Sequence, residues 1–192
     1  TTDDVIIEQD LITKNKKIKD FKDYLNFLKS NKIIVDHQER KDIILKKVNS
    51  FSQSKQYKET LNSKLLEEVA NIVEDPNLLH VSFSKDYLEI PKEIIISTLE
   101  KHQRYFPIFD SRDRLTNYFF VVANKKDEKK LITQGNRRVV EARLADAKFF
   151  WDKDRSKNLI KQIANLKTVT FYEKLGTIYD KTQRLRKLAG LL

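Results

Sequence analysis

Histidine, lysine and arginine are the residues through which this chain could do chemistry. The three histidines, His37, His80 and His102, stand far apart and lack both the spacing and the acidic neighbours of a metal site. They read as surface or hydrogen-bonded core residues. Asp36-His37 reverses the His-Asp order of metal-dependent phosphohydrolases and has no supporting ligands nearby. Gly135, Gly176 and Gly190 are isolated from one another, so no glycine-rich phosphate loop is present. Cysteine does not occur, which removes disulfides and thiolate metal sites. The sequence names no catalytic residue and no metal ligand.

The basic residues carry more pattern. Lys101-His-Gln-Arg104 ends a predicted helix just before Tyr105, Phe106 and Phe109. Cations beside aromatic faces suit RNA, whose bases stack on rings while phosphates meet charge. The same cations also suit a helix C-terminus, and alternating aromatics suit a core strand. Gly135-Asn-Arg-Arg138 and Arg143 fall on the next long helix. There Arg137 can pair with Glu141 and Arg143 with Asp146 at helical spacing. Arg138 has only Glu141, which Arg137 also claims, and it is the better candidate for phosphate contact. On the last helix Lys181, Arg184 and Lys187 form a stripe, with Asp180 available to Arg184. The RNA-binding candidates are therefore Lys101, Arg104, Arg137, Arg138, Arg143, Lys181 and Arg184, each with a solvent-facing or salt-bridged alternative.

Composition agrees with a polyanionic partner. The 192 residues carry a formal net charge of +10, with a pI near 9.5. Lysine and arginine gain affinity for nucleic acid by releasing condensed counterions. A lysine-rich surface from an AT-biased genome would look the same on charge alone. A hydrophobic share of 40% supports a packed core, and no apolar run approaches the ~20 residues of a membrane span. A soluble, cytoplasmic protein is expected. Methionine is absent, even at position 1, which suggests an excised internal piece.

Positioning these residues requires an α+β arrangement. The first third reads as helical and polar, through Tyr24, Leu25 and Leu28 and then Ile43, Ile44 and Val48. Asn49 to Lys58, rich in Ser, Gln and Lys, reads as a loose connector. Lys64–Val73 is a clear amphipathic helix, capped by Asn62 or Ser63. Val81 and Phe83 alternate as a strand, and Pro91 opens a helix. Tyr105–Phe109 is a strand whose Pro107 must lie at an edge or bulge. Asp110–Arg114 is a turn, and Tyr118–Ala123 is a strand buried on both faces. Helical periodicity resumes from Leu131 to Trp151 and around Leu159–Leu166. Thr168–Phe171 is extended, and Glu173–Leu192 is a last helix whose apolar stripe runs to the chain end.

Ordered blocks of the sequence resemble one family. Tyr87-Leu-Glu-Ile-Pro-Lys-Glu93, Lys101-His-Gln-Arg-Tyr-Phe-Pro-Ile-Phe109 and Asn117-Tyr-Phe-Phe-Val-Val-Ala-Asn124 are similar to the β subunit of the bacterial α2β2 glycyl-tRNA synthetase. So are Gly135-Asn-Arg-Arg-Val-Val140, Arg143-Leu-Ala-Asp-Ala-Lys-Phe-Phe150 and Glu173-Lys-Leu-Gly-Thr-Ile-Tyr-Asp-Lys181. The resemblance implies a B3/B4-like mixed domain with a small sheet and flanking helices, followed by the first helix of an HD-like helical domain. Residues 1–60 would form the polar N-terminal part, 61–166 the B3/B4-like core and 167–192 the truncated HD-like start. It further implies a non-catalytic tRNA-binding or assembly role in glycine–tRNA ligase. The expected partners are the α subunit, tRNA-Gly and the rest of β, with ATP and Mg at the α subunit and no cofactor here.

Overall fold

A computed structural model describes residues 4–9, 12–58 and 61–191, with side chains described from residue 16 onward. Leu192, expected on the last apolar stripe, lies outside the described residues. The chain divides into two compact units, residues 1–145 and 146–192.

The first unit opens with β1 (Asp4–Gln9) and β2 (Ile12–Lys17), an antiparallel pair. This corrects the expectation of an all-helical first third. Val5, Ile6, Ile7, Ile12 and Thr13 are β-branched, and their stiff χ1 favours strands over helix. Helices α1 (Phe21–Ser30) and α2 (His37–Lys55) follow. Asp36 caps α2 by accepting from the N–H groups of Gln38 and Glu39. Residues 49–55 of the expected connector 49–58 are instead the last turns of α2, with Ser52 buried, and 56–58 follow its C-cap. Ser50, Gln53 and Ser54 occupy the exposed side, and their polarity, with that of the buried Ser52, hid the helical period of Ile44, Val48 and Phe51.

Helix α3 (Ser63–Ile72) starts at Asn62, whose side chain accepts from Lys64 and Leu65 as predicted. Strand β3 (Asn77–Ser82) leads to α4 (Lys92–Ser97), which continues as a π-helical turn over Thr98–His102. Pro91 sits one position before α4, with its carbonyl accepting from Ile94. Then come β4 (Phe106–Phe109) and β5 (Leu115–Ala123), and the sheet order is β3-β5-β4, all antiparallel. Pro107 lies on the edge strand β4 at a register shift, where a missing N–H breaks no internal ladder.

Strand β5 is central and buried on both faces, with Phe119 at 0% and Phe120 at 2% exposure. Successive side chains alternate. Phe120 joins Ile44 and Val48 of α2 and Leu65, Leu66 and Val69 of α3 in one core cluster. Phe119 stacks on Phe83 and Tyr105 instead. The Tyr105 hydroxyl donates to Asn136 of α5 (Leu131–Arg155), placing that helix on the second face. Val140 and Leu144 of α5 are fully buried. Helices on both sides of a small antiparallel sheet make this an α+β fold.

The second unit holds the end of α5, the short helix α6 (Leu159–Gln162), a 3-10 stretch at Ile163–Thr168, and a hairpin of β6 (Thr170–Tyr172) and β7 (Gly176–Thr177). Helix α7 runs Ile178–Ala189. It starts later than the predicted Glu173, because Gly176 takes a positive φ of 79° and Thr177 forms a capping box with Asp180. Among the described residues no helix is long and apolar enough to cross a membrane.

Candidate nucleic-acid interface

The basic candidates fall into three local settings. At the end of the α4 π-turn, Arg104 occupies the left-handed region at φ 60°. Its Nε donates to Glu68 at 2.8 Å, and a guanidinium nitrogen donates to the Lys101 carbonyl. Glu100 accepts from Asn62 at 3.1 Å beside them. Acids therefore offset Arg104 here, while the Lys64 and Lys101 ammoniums form no ion pair among the described residues. The adjoining aromatics are no stacking platform: Phe106 is 1% exposed within the core, and Tyr105 lies against Phe119 with centroids 5.3 Å apart.

On α5 the basic residues separate cleanly. Arg137 donates to Glu141 at 3.0 Å, as helical spacing predicts. Glu141 also accepts from the backbone N–H of Ser84. Arg138 and Arg143 are exposed and form no ion pair among the described residues of the first unit. With about 100° per residue, Arg138 lies opposite the buried Val140–Leu144 face, while Arg137 and Arg143 flank it. Five residues apart, the two guanidiniums leave α5 about 140° apart, so each would meet phosphate on its own side of the helix, where guanidinium geometry matches phosphate oxygens bidentately.

In the second unit two lysines, one of α7 and one of the 3-10 stretch, have aromatic neighbours. Lys181 Nζ sits 4.2 Å from the Phe171 ring centroid and Lys167 Nζ 5.0 Å from that of Tyr179. Asp180 accepts from the Thr177 N–H at 2.8 Å and from its hydroxyl at 2.7 Å, which holds its carboxyl below the usual carboxylate range. Arg184 donates to the Leu175 carbonyl at 3.2 Å rather than pairing with Asp180.

Two of the three histidines make structural contacts, and His102 is exposed. His37 meets Glu67 at 2.9 Å. His80 stacks on Tyr118 and lies against Phe51, with centroids 4.6 and 4.7 Å apart. Among the described residues no three His, Cys, Asp or Glu side chains converge as a metal site.

One basic site escaped sequence reading. A groove of about 740 Å³ lies between α2 and β3, with Ile43, Phe51, Leu78 and Leu79 along it and Lys46, Lys47 and Lys126 among its polar lining. Lys126 is remote in sequence from the other two, so only the packing of α2 on β3 brings the three together. The exposed period of α2 would have been the one sequence signal, and the connector reading concealed it.

A family model described as glycyl-tRNA synthetase beta subunit matches residues 3–192. The chain is 37% identical over 180 residues to the glycine–tRNA ligase beta subunit of Listeria monocytogenes serotype 4a, covering 93% of this chain and 26% of that protein. It is 42% identical over 173 residues to the Dictyoglomus thermophilum protein of the same name, covering 90% and 25% respectively. The Clostridioides difficile protein is 40% identical over 176 residues, covering 91% and 25%. The chain thus spans about a quarter of the length of these curated relatives. Since the match runs through nearly every described element, the chain belongs to the glycyl-tRNA synthetase beta subunit family.

Proposed function

We propose that this chain is a non-catalytic, tRNA-binding part of glycine–tRNA ligase. It would support ATP-dependent glycylation of tRNA-Gly performed at an α subunit, which would also hold ATP and Mg. The observation that carries this reading is the pair Arg138 and Arg143, exposed on α5 without acidic partners among the described residues, in a chain of net charge +10. Family membership supplies the RNA. In this reading residues 61–166 act as a B3/B4-like core behind a polar segment at 1–60, and residues 167–192 begin an HD-like helical part. The setting is the cytoplasm, and the partners are tRNA-Gly, the α subunit and the rest of β.

The test is the salt dependence of tRNA-Gly binding by the full-length protein. Each lost phosphate contact should reduce the slope of log K against log salt by about 0.9 on duplex RNA treated like B-DNA. Arg138→Ala and Arg143→Ala are expected to flatten it, singly and additively, and Lys181→Ala to do so less because its ammonium rests on Phe171. Unchanged slopes in all three would remove these residues from an RNA surface.

A purely structural assembly role is the second reading, and the second unit favours it. Leu159, Ile160, Leu185 and Leu188 are between 54% and 81% exposed, an apolar surface of the kind that packs on another element. Retention of the α subunit by protein that holds no tRNA would select this reading.

A further inference from the structure

We infer that the α2–β3 groove is a binding site for an unpaired nucleotide of RNA, with the base on its apolar floor and the phosphate at its lysine rim. This rests on the RNA-binding reading above and gives it a second location, apart from Arg138 and Arg143.

The groove has the volume of a small-ligand site, within the usual range of about 300–1,000 Å³. Its apolar side is Phe51 of α2 and Leu78 of β3, both partly exposed, with Leu79 bordering it at the sheet edge on the alternate face. The Phe51 ring is fixed from behind, edge-on to Phe120 at 5.4 Å and tilted on His80 at 4.7 Å. A ring held in this way offers a stacking surface at little ordering cost. The rim charges are unbalanced. Asp127 is the acid of the lining, and it is spent on the start of α5, accepting from the N–H groups of Ile132 at 2.9 Å and Thr133 at 2.7 Å. Lys47 is anchored to the Pro76 carbonyl at 2.5 Å. Lys46 and Lys126 are exposed, with no hydrogen bond or ion pair among the described residues. Two exposed ammoniums beside an apolar surface match a nucleotide, which is anionic on one side and flat and apolar on the other. Strand β3 borders the groove as an edge of its sheet. Backbone groups turned away from β5 could therefore meet base edges.

A single-stranded ligand is favoured over a duplex. A base pair keeps its faces stacked inside the helix and cannot lie on Phe51, whereas loops and ends present splayed bases.

The experiment measures binding of hexauridylate, hexaadenylate, a fully paired RNA hairpin and tRNA-Gly to the full-length protein. The variants are Ser50→Glu, the double Lys46→Gln/Lys126→Gln, and Arg138→Ala/Arg143→Ala. Positions 46, 50 and 126 are exposed, so these changes leave the core intact, and equal thermal midpoints verify it. Ser50→Glu places a carboxylate on the groove wall. It is expected to weaken hexanucleotide binding at least tenfold and to leave stem binding unchanged. The double lysine variant should weaken hexanucleotides about tenfold and reduce their salt slope by about 1.4, at 0.7 per contact. Hexanucleotide affinity that ignores both groove variants overturns this proposal. If tRNA-Gly binding still falls in the arginine variant, the RNA-binding reading survives that failure. Wild-type protein that binds no RNA overturns both. Displacement of hexauridylate by an equal concentration of hexaglutamate would also overturn it, since the rim would then read charge without a base.

Discussion

Glu141 accepts the backbone N–H of Ser84 at 3.0 Å, tying the exit of β3 to the middle of α5 across a sequence gap that no local signal bridges. The same oxygen receives Arg137 Nε, so one carboxylate both fixes the helix on the sheet and neutralises one of the three candidate arginines of α5. Both neighbours matter to the candidate interface: the tie sets where α5 stands, and the neutralisation decides which arginines are available.

Replacing Glu141 should separate these two roles. Glu141→Ala leaves the Ser84 N–H without its acceptor and is expected to cost about 1–2 kcal/mol. Glu141→Gln retains an acceptor and should cost less. Both release Arg137, so the salt slope of tRNA binding should steepen if that guanidinium then reaches phosphate. Urea denaturation read alongside the slope checks this. Equal stability of Glu141→Ala and wild type would show that the Ser84 contact contributes nothing.

Arg104 stands in the left-handed region, which costs a non-glycine residue about 1–2 kcal/mol. Its ion pair with Glu68 is half exposed, and such pairs contribute at most about 1 kcal/mol. Arg104→Ala keeps the backbone strain and loses the pair. Arg104→Gly loses the pair but relieves the strain, against the extra freedom glycine gives the unfolded chain. The glycine variant should therefore be the more stable of the two by about 0.5–1 kcal/mol, read from denaturation midpoints. Both should bind tRNA alike, since each lacks the guanidinium.

Much of this framework was legible locally. Asn62 announced its helix because a side-chain acceptor before an apolar period is a local signal. Pro107 announced an edge because a residue without N–H cannot sit inside a ladder. Arg137 and Glu141 announced their pair through helical spacing. What stayed hidden was decided by packing or by competition. Ser52 is buried in α2, yet a serine run reads as a loop. Spacing leaves Asp180 available to Arg184, while the Thr177 N–H, fixed in the capping box, claims it. Lys126 joins Lys46 only when α2 lies against β3.

His80 should make stability depend on pH near neutrality. Burial, and secondarily the charge of Lys55, pushes its pKa below the ordinary 6.5. Tyr57 faces it with its hydroxyl 3.5 Å from Nε2, and Tyr118 covers its ring. The unfolded chain therefore takes up a proton at higher pH than the folded one. Stability is full above about 6.5 and declines as pH falls from there toward the depressed folded value. His80→Phe keeps the ring packing and removes the titration. Thermal midpoints from pH 7.5 to 5.5 should fall more for wild type than for the variant, and parallel curves would exclude His80 as the source.

Gly176 controls the start of α7. Its φ of 79° belongs to glycine, and a Cβ there would stand 2.5 Å from Asp180 Oδ2. That oxygen accepts both the N–H and the hydroxyl of Thr177, so an added methyl strikes the capping box itself. Gly176→Ala must either hold a strained turn, at a backbone cost of about 1–2 kcal/mol, or swing Asp180 out and uncap the helix. Amide exchange of Ile178–Lys181 should accelerate in this variant, while exchange in β5 of the first unit stays unchanged. Asp180→Ala should reproduce the acceleration without the turn strain, because it removes the acceptor and leaves glycine in place. Acidification should do the same to wild type, since a carboxyl held below its usual range by these donors supports the cap above that range and releases it as pH falls through the depressed value. Unchanged exchange in both variants would show that α7 is held by its later turns rather than by its cap.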